Sequence, residues 1–389
     1  MTLSHTFWNQ KPLRVHPEAT LTLIQEQHGF QREPLPSSLE WDVFYLEDTE
    51  KCEEWHTFLV ENYKDSKNPF QILYTRSHLQ FEMSSGERHW IVALRSAKRP
   101  GRPMVACIAG AVRQLCHTFV DSTPDALNHT LFIEFLCIHS SLRHLGIAPK
   151  LIHEISRLAH LSPLRIQRAY YSSATRLPEA FCCSFNHHRP IQWERCIEMG
   201  YISESKHTTL SRSRLRQPTT DYCFQRVTQT QTPECVHRIC EMINTYNARH
   251  RKVYEPMTPD HWVKMCQTDC VDCIMVCDAR STNSDIIGCI ATISHPYQIT
   301  MGNKGGRLNT VLLYHYGFDL NLSSQQMLSI WNALFTFAES ELPHWDAFTT
   351  VHPDVYRAIG FQKGHAYYHY MYNVHMKPLE SADITMIGI

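Results

Sequence analysis

The stretch best equipped for chemistry runs from Ile138 to Pro149, where apolar residues pass through Arg143, His144, Leu145, Gly146, Ile147 and Ala148 into a segment of helical periodicity. The spacing R-x-x-G-x-A suits an anion. A glycine lets main-chain amides turn toward a phosphate, and a small alanine lets the helix end approach. The unpaired amides and dipole of a helix N-terminus favour negative charge, and Arg143 adds one cationic fork. Six residues alone would also fit an ordinary strand-to-helix turn. The strand before and the helix after favour a phosphate-cradling loop.

Other reactive groupings are weaker. Cys266, Cys270, Cys273 and Cys277 are spaced as zinc ligands could be, but the last two lie in a strand-like run whose alternate side chains face opposite ways, so they read as core thiols and no metal site is expected. Cys182 and Cys183, placed in a loop after Pro178, would need His187 or His188 as a base, and no third group is visible to orient either histidine. His153, Glu154 and His160 lack zinc-protease spacing. There is no G-x-S-x-G and no G-x-x-x-x-G-K, which counts against a serine hydrolase or a P-loop enzyme.

Composition narrows the partners. The chain has 389 residues, with 37 Lys plus Arg against 38 Asp plus Glu for a net charge of −1. Nothing in that balance attracts nucleic acid or anionic lipid. Hydrophobic residues at 43% and aromatics at 11% place it among globular proteins. Fifteen cysteines, an odd number, and a start lacking a signal peptide point to a reduced, cytoplasmic protein. No apolar run reaches the roughly 18 residues of a membrane span, and a monomer is expected.

The elements that must position the loop follow from periodicity. Residues 1–40 form a Pro-punctuated arm carrying Phe7 and Trp8. A helix is expected at 48–63, a hairpin of strands at 89–94 and 104–115, a central strand at 130–138, a helix at 148–160 and a strand at 168–172. A basic, Ser/Thr-rich crossover is expected at 206–221. Beyond it come a helix at 233–249, strands at 273–278, 286–295 and 310–316, a helix at 324–341, and strands at 347–351 and 367–373. The fold class is therefore α/β (α+β), as two α/β halves of similar size, 41–210 and 211–389, after the arm.

The loop, extended to Ile133, Glu134, Phe135, Leu136, Cys137, Ile138 and His139 before it and Ala148 and Pro149 after it, resembles the signature of eukaryotic protein N-myristoyltransferases within the GNAT acyltransferases. Further pieces agree in order. Phe7, Trp8 and Pro12 are similar to that family's N-terminal acyl-CoA-binding arm, and Trp41 with Asp42 to its early turn. Glu61, Asn62 and Tyr63 with Phe70 and Tyr74 are similar to its substrate-contacting loop. Ala169 to Ser172, Leu177 with Pro178, His188 with Arg189, and the closing Tyr370, Tyr372, Asn373 and Pro378 complete the set.

The resemblance implies two tandem GNAT-like units in one saddle-like body. It implies transfer of a tetradecanoyl group from myristoyl-CoA, a co-substrate, to the α-amine of an N-terminal glycine, with no permanently bound cofactor. That amine has a pKa of about 7.7–8.0 and must lose a proton before it attacks. The family's base is the chain's C-terminal carboxylate, here that of Ile389, and Ile384, Met386 and Ile387 are apolar for a solvated tail. The amides of Phe135 and Leu136 would stabilise the oxyanion, which requires a departure from regular strand pairing there. Ser172 would orient the amine. Coenzyme A would lie on Phe7, Trp8, Ile138, Arg143, His144, Leu145, Gly146, Ile147, Ala148 and Pro149, and the peptide on Tyr63, Phe70, Tyr74, His188, Tyr314, Tyr370 and Asn373. Burying about twelve methylenes would contribute on the order of 10 kcal/mol.

Departures from the family leave alternatives open. Glu134 stands where Asn is usual, so it could assist or replace the terminal carboxylate, or simply pair with a cation. His144, Leu145 and Gly146 replace a more basic loop. Lys64, Asp65, Ser66 and Lys67 replace an acidic run, so a preference for lysine in the substrate should weaken or reverse. An acyltransferase acting on another amine such as lysine, and a non-catalytic acyl-CoA or lipidated-peptide binding module, are the other readings.

Overall fold

Apolar runs become strands and amphipathic stretches become helices in the order the pattern implies. The computed structural model describes residues 6–25, 31–64, 69–121, 125, 127–203, 221–227, 231–281, 285–299, 306–358 and 360–386. The first part comprises α1 (Thr6–Asn9), β1 (Arg14–Val15), β2 (Leu39–Phe44), α2 (Thr49–Asn62), β3 (Phe70–Ile72), α3 (Arg76–Ser84), β4 (Arg88–Ser96), β5 (Met104–Arg113), β6 (Cys116–His117), β7 (Thr130–Ile138), α4 (Ile147–Leu161), β8 (Ala169–Ser173), β9 (Cys182–Pro190) and α5 (Trp193–Glu198). The second comprises β10 (Tyr222–Arg226), α6 (Pro233–His250), β11 (Val253–Tyr254), α7 (Pro259–Gln267), β12 (Val271–Asp278), β13 (Ile286–Ser294), β14 (Tyr297–Ile299), β15 (Gly306–Leu308), β16 (Thr310–Phe318), α8 (Ser324–Glu341), β17 (Ala347–Thr350), α9 (Pro353–Tyr356), β18 (Gln362–Tyr372) and β19 (His375–Met376).

Helix starts follow local chemistry. Asp48 caps α2 by accepting from the Lys51 amide at 3.1 Å, and Ser323 with Gln326 forms a capping box on α8. Each part packs helices on both sheet faces. Trp55 and Phe58 of α2 and Leu79 and Met83 of α3 bury against Ile91, Cys107 and Phe135, while Leu151, Ile155 and Ala159 of α4 cover Val92, Ile108 and Leu131 on the opposite face. In the second part Trp331 and Phe335 of α8 pack on Ile290, Leu313 and Phe348, and Ile239 and Trp262 of α6 and α7 on Cys273, Met275 and Leu312. Truncating Leu151, fully buried, to Ala would cost roughly 2–5 kcal/mol.

One mixed sheet of twelve strands spans both parts, in the order β10-β12-β13-β16-β17-β9-β18-β8-β7-β5-β4-β2. Its middle is interleaved. Strand β9 of the first part lies between β17 and β18, and the late strand β18 lies between β9 and β8. The long C-terminal strand therefore seams the two parts.

Several expectations need correction. Cys182 and Cys183 lie in β9 and not in a loop, with Cys182 buried and Cys183 exposed. Trp41 and Asp42 lie inside β2 and not in a turn. The last long strand begins at Gln362, ahead of the expected Tyr367. In each case ladder partners override a polar local sequence. All of the expected crossover except Asp221 lies outside the described residues.

Candidate active site

Strands β7 and β8 are parallel neighbours for only two residues, Leu131 opposite Ala169 and Phe132 opposite Tyr170. Beyond that they part, and β7 continues to Ile138 while β8 ends at Ser173. On its other side β7 slips against β5, so that the single residue Ile108 faces both Phe135 and Leu136. Phe135 has φ of +54°. A bulge of this kind turns main-chain amides out of the ladder, at a cost of about 1–2 kcal/mol for a side-chain-bearing residue.

Packing holds that conformation. The Phe135 ring meets Trp55 edge-on at 5.6 Å and Tyr74 at 5.2 Å. The Cys107 thiol donates to the Phe135 carbonyl at 3.5 Å. Burial raises the Cys107 thiol well above its ordinary range, so it stays a neutral donor.

Past β7, residues Ser140–Leu142 make one 3-10 turn. Arg143 Nε donates to the Ile138 carbonyl at 3.1 Å, and a second guanidinium nitrogen to Asn62 O at 3.3 Å. His144 and Gly146 both have positive φ, +67° and +72°. Gly146 caps α4 without any side-chain hydrogen bond, and no acidic residue stands in the first turn. The amides of Ile147 and Ala148 therefore open the fifteen-residue helix without a side-chain acceptor, and Pro149 has no amide hydrogen to satisfy. Leu145 is exposed. This is the geometry of an anion cradle.

The arm is fastened to β8. The Trp8 ring stacks on Tyr171 of β8 at 5.3 Å, Phe7 meets Trp8 at 5.0 Å, and Lys11 sits over the Phe7 ring at 4.5 Å. Tyr370 is fully buried and stacks under Tyr171 at 5.0 Å, its hydroxyl bonded to the main chain of Leu177. Asn373 binds Pro12 O through its amide and Gln25 and Gln167 through its side chain. Asn373, just past the end of β18, thus ties down the arm, and Tyr370 backs Tyr171, on which Trp8 stacks; neither makes a ring contact with the aromatic cluster of Tyr63, Phe70 and Tyr74 among the described residues.

That cluster forms elsewhere. Tyr63 packs on Tyr74 at 5.6 Å, and Tyr74 on His78 at 5.5 Å and His295 at 6.3 Å. Phe70 meets Tyr201 at 5.5 Å and Tyr297 at 6.4 Å. His188 bonds Thr349 Oγ1 at 2.9 Å and faces Tyr201 at 6.0 Å. Burial holds His188 down at about 4 and His295 at about 3, so both are neutral imidazoles at pH 7. Tyr314 is buried beside Arg113, its hydroxyl without a hydrogen-bond partner among the described residues. Ser172 is half-buried on β8, opposite His369.

Next to the bulge, Glu134 belongs to a buried ionic cluster. Arg113 is paired with Glu82, and lies 4.0 Å from Glu134 and 3.7 Å from Glu255. Glu134 Oε2 and Glu82 Oε1 have no hydrogen-bond partner among the described residues. Burial, reinforced by Glu82 and opposed by Arg113, pushes the Glu134 carboxyl up to about 8. The tail arrives at the same place. Ile384 and Met386 are buried with Phe132 and Tyr170, the Thr385 amide donates to Val253 O at 3.2 Å, and the Glu255 amide donates to Thr385 Oγ1 at 3.0 Å. Ile389 itself lies outside the described residues.

Sequence reading missed Arg113, Glu82, Glu255, Cys107 and Tyr171. Arg113 and Glu134 each interrupt an apolar strand, and a charge in a buried strand must find a partner, so that pair was discoverable. Cys266 and Cys273 are free thiols in a side-chain hydrogen bond, and Cys270, Cys273 and Cys277 are buried. Among the described residues no three or more His, Cys, Asp or Glu side chains are grouped to hold a metal ion, and no helix is long and apolar enough to cross a membrane.

Known proteins share this fold. The profile of the Myristoyl-CoA:protein N-myristoyltransferase N-terminal domain matches residues 21–183. Glycylpeptide N-tetradecanoyltransferase 1 of Arabidopsis thaliana is 22% identical over 402 aligned residues, covering 99% of this chain and 89% of that protein. The Candida albicans glycylpeptide N-tetradecanoyltransferase is 28% identical over 207 residues, covering 51% of this chain and 44% of that protein. Saccharomyces cerevisiae N-myristoyltransferase with bound myristoyl-CoA superposes with a TM-score of 0.80 at 18% identity, over 99% of each chain. A tandem GNAT protein from the clavulanic acid biosynthesis pathway superposes at 0.54 with 12% identity, over 86% of this chain and 98% of its own. The fold is therefore one shared with an N-myristoyltransferase and, more loosely, with a tandem GNAT protein. Residues 21–183 are thus similar to the N-terminal domain of the protein N-myristoyltransferases, and the chain as a whole to a glycylpeptide N-tetradecanoyltransferase at low identity.

Proposed function

We propose that this chain transfers a tetradecanoyl group from myristoyl-CoA to the α-amine of an N-terminal glycine on a peptide or protein. The observation that carries the reading is the parting of β7 and β8 beside the bulge at Phe135, with the loop at Gly146 at one end and Trp8 stacked on Tyr171 of β8. The pyrophosphate of coenzyme A takes the amides that open α4 together with Arg143. The pantetheine and acyl chain enter between the strands under Phe7 and Trp8, the arm and residues 41–210 serving the thioester, and residues 211–389, together with Tyr63, Phe70, Tyr74 and His188 of the first half, serving the peptide. The thioester oxygen meets the amides of Phe135 and Leu136, one such donor being worth roughly 3–4 kcal/mol to the transition state.

The acceptor amine lies near Ser172, and its peptide runs past Tyr63, Phe70, Tyr74, His188 and Tyr314. Its proton goes to the α-carboxylate of Ile389, supported by the burial of Ile384 and Met386 and by the bond from Glu255 to Thr385. A side chain on the first substrate residue would strike the pocket wall, which restricts that position to glycine. The test appends residues after Ile389 and measures myristoyl-CoA binding and transfer separately. Binding kept with transfer lost supports the whole reading, transfer kept sinks the terminal carboxylate, and a wild-type protein that binds but transfers nothing is a binding module.

A further inference from the structure

Acyl transfer moves more protons than one base can account for. A glycine ammonium loses two hydrogens on becoming an amide, while the departing sulfur gains one. The proposed terminal carboxylate accounts for the first of these. The second must pass from the nitrogen of the adduct to the sulfur, and the group for it has to stand beside the oxyanion bulge.

Glu134 immediately precedes the bulged Phe135 on β7 and stands opposite Ala109 of β5. Its side chain is buried, one oxygen has no partner among the described residues, and the other is 4.0 Å from a guanidinium already committed to Glu82. Three carboxylates thus surround one cation. Two of them, Glu82 and Glu255, come from α3 and the segment after β11. Tyr314 of β16, Tyr170 of β8, and Tyr63 and Tyr74 on the bulge side also face Glu134, all of them neutral at pH 7 because burial raises each phenol. With one positive charge against three potential negative ones, the carboxyl with the longest contact keeps its proton. Tyr74 packs on Phe135 at 5.2 Å and Tyr63 on Tyr74, and both phenols lie within electrostatic reach of Glu134, which places its carboxyl on the side of the bulge that carries these rings.

We infer that Glu134 is a proton shuttle between the acceptor nitrogen and the leaving sulfur. This rests on the acyl-transfer reading above. As the carbon–sulfur bond breaks, its electron pair goes to sulfur and the Glu134 O–H proton follows, giving the thiol. The N–H bond of the cationic adduct then breaks, its pair staying on nitrogen to form the amide, and that proton restores the Glu134 acid. Glu134 ends as it began. Its proton affinity, near 8, lies close to that of a thiol at about 8.5, which suits transfer in both directions.

The test compares wild-type protein with Glu134→Gln, which keeps shape and hydrogen bonding but cannot shuttle, using myristoyl-CoA and a glycine-initiated peptide across pH 6 to 9.5. The expected result is a fall in kcat of about a hundredfold, with KM for both substrates within about threefold. The wild-type decline of kcat above about pH 8 should be absent from the variant. If Glu134→Gln does not fold, Glu134→Asp is assayed instead and should keep the alkaline limb at a displaced pH. An unchanged kcat, or a lowered kcat with the wild-type pH profile, overturns the shuttle and leaves the acyl-transfer reading standing. A wild-type protein that binds the thioester and transfers nothing fails at that earlier reading and takes the shuttle with it.

Discussion

The thiol of Cys107 on β5 donates to the main-chain carbonyl of Phe135 on β7, at the residue where β7 adopts a left-handed conformation. The bond crosses the slip in register, so it fixes the bulge from the neighbouring strand. Cys107→Val keeps the volume and removes the donor, leaving a buried carbonyl unsatisfied. A cost of about 1–1.5 kcal/mol predicts a roughly tenfold fall in kcat with KM unchanged. Cys107→Ser, which still donates, should stay within about threefold of wild type, and equal losses in both variants would show that the thiol serves packing alone.

Trp8 couples the arm to β8 through its stack on Tyr171. Removing an aromatic pair costs about 0.5–1.5 kcal/mol beyond lost area. Trp8→Ala should therefore weaken myristoyl-CoA binding five- to tenfold or more in calorimetry, while the melting temperature of the unliganded protein changes little. Unaltered affinity would remove the arm from the binding site.

At Gly146 the constraint is conformational. Its φ is +72° and a Cβ there would meet nothing within 4 Å. Gly146→Val thus costs about 1–2 kcal/mol of backbone strain without a clash, which the loop relieves by turning its amides away. The expected readout is roughly tenfold weaker binding of coenzyme A itself, with little change in binding of an acyl-pantetheine lacking the pyrophosphate. Equal weakening of both would mean that the loop does not hold the phosphates.

Glu134 also sets a pH dependence of stability. Its folded-state proton affinity is raised to about 8, so its contribution is fully present below the unfolded value of about 4.3 and is lost as pH rises through about 8. Replacing it by Gln removes that loss. The melting temperature of Glu134→Gln relative to wild type should climb between pH 5 and pH 9, and a difference that stays constant over this range would contradict the buried, protonated state.

Much of this was legible in the residues. The run from Thr130 to Ala148 has unmistakable strand and helix periodicity with a glycine between, so β7, the loop and α4 could be placed nearly to the residue. The insertion of β18 between β8 and β9 could not, because strand order is set by partners far apart in sequence and Cys182 to Pro190 is too polar to read as an interior strand. The same distance hid Glu82 and Glu255 from Arg113. Tyr370 and Asn373 show the same limit. Tyr370 is buried in β18 against Tyr171, and Asn373 follows the strand and bonds the arm, contacts that residue types alone do not reveal.

Tandem mass spectrometry of a glycine-initiated peptide carrying an internal lysine, incubated with the purified protein and myristoyl-CoA, tests the chemistry at the parted strands most directly. A single tetradecanoyl group is expected on the glycine α-amine, and none when that glycine is replaced by alanine. A peptide left unmodified by protein that binds the thioester, or one acylated on lysine with its α-amine free, would contradict it.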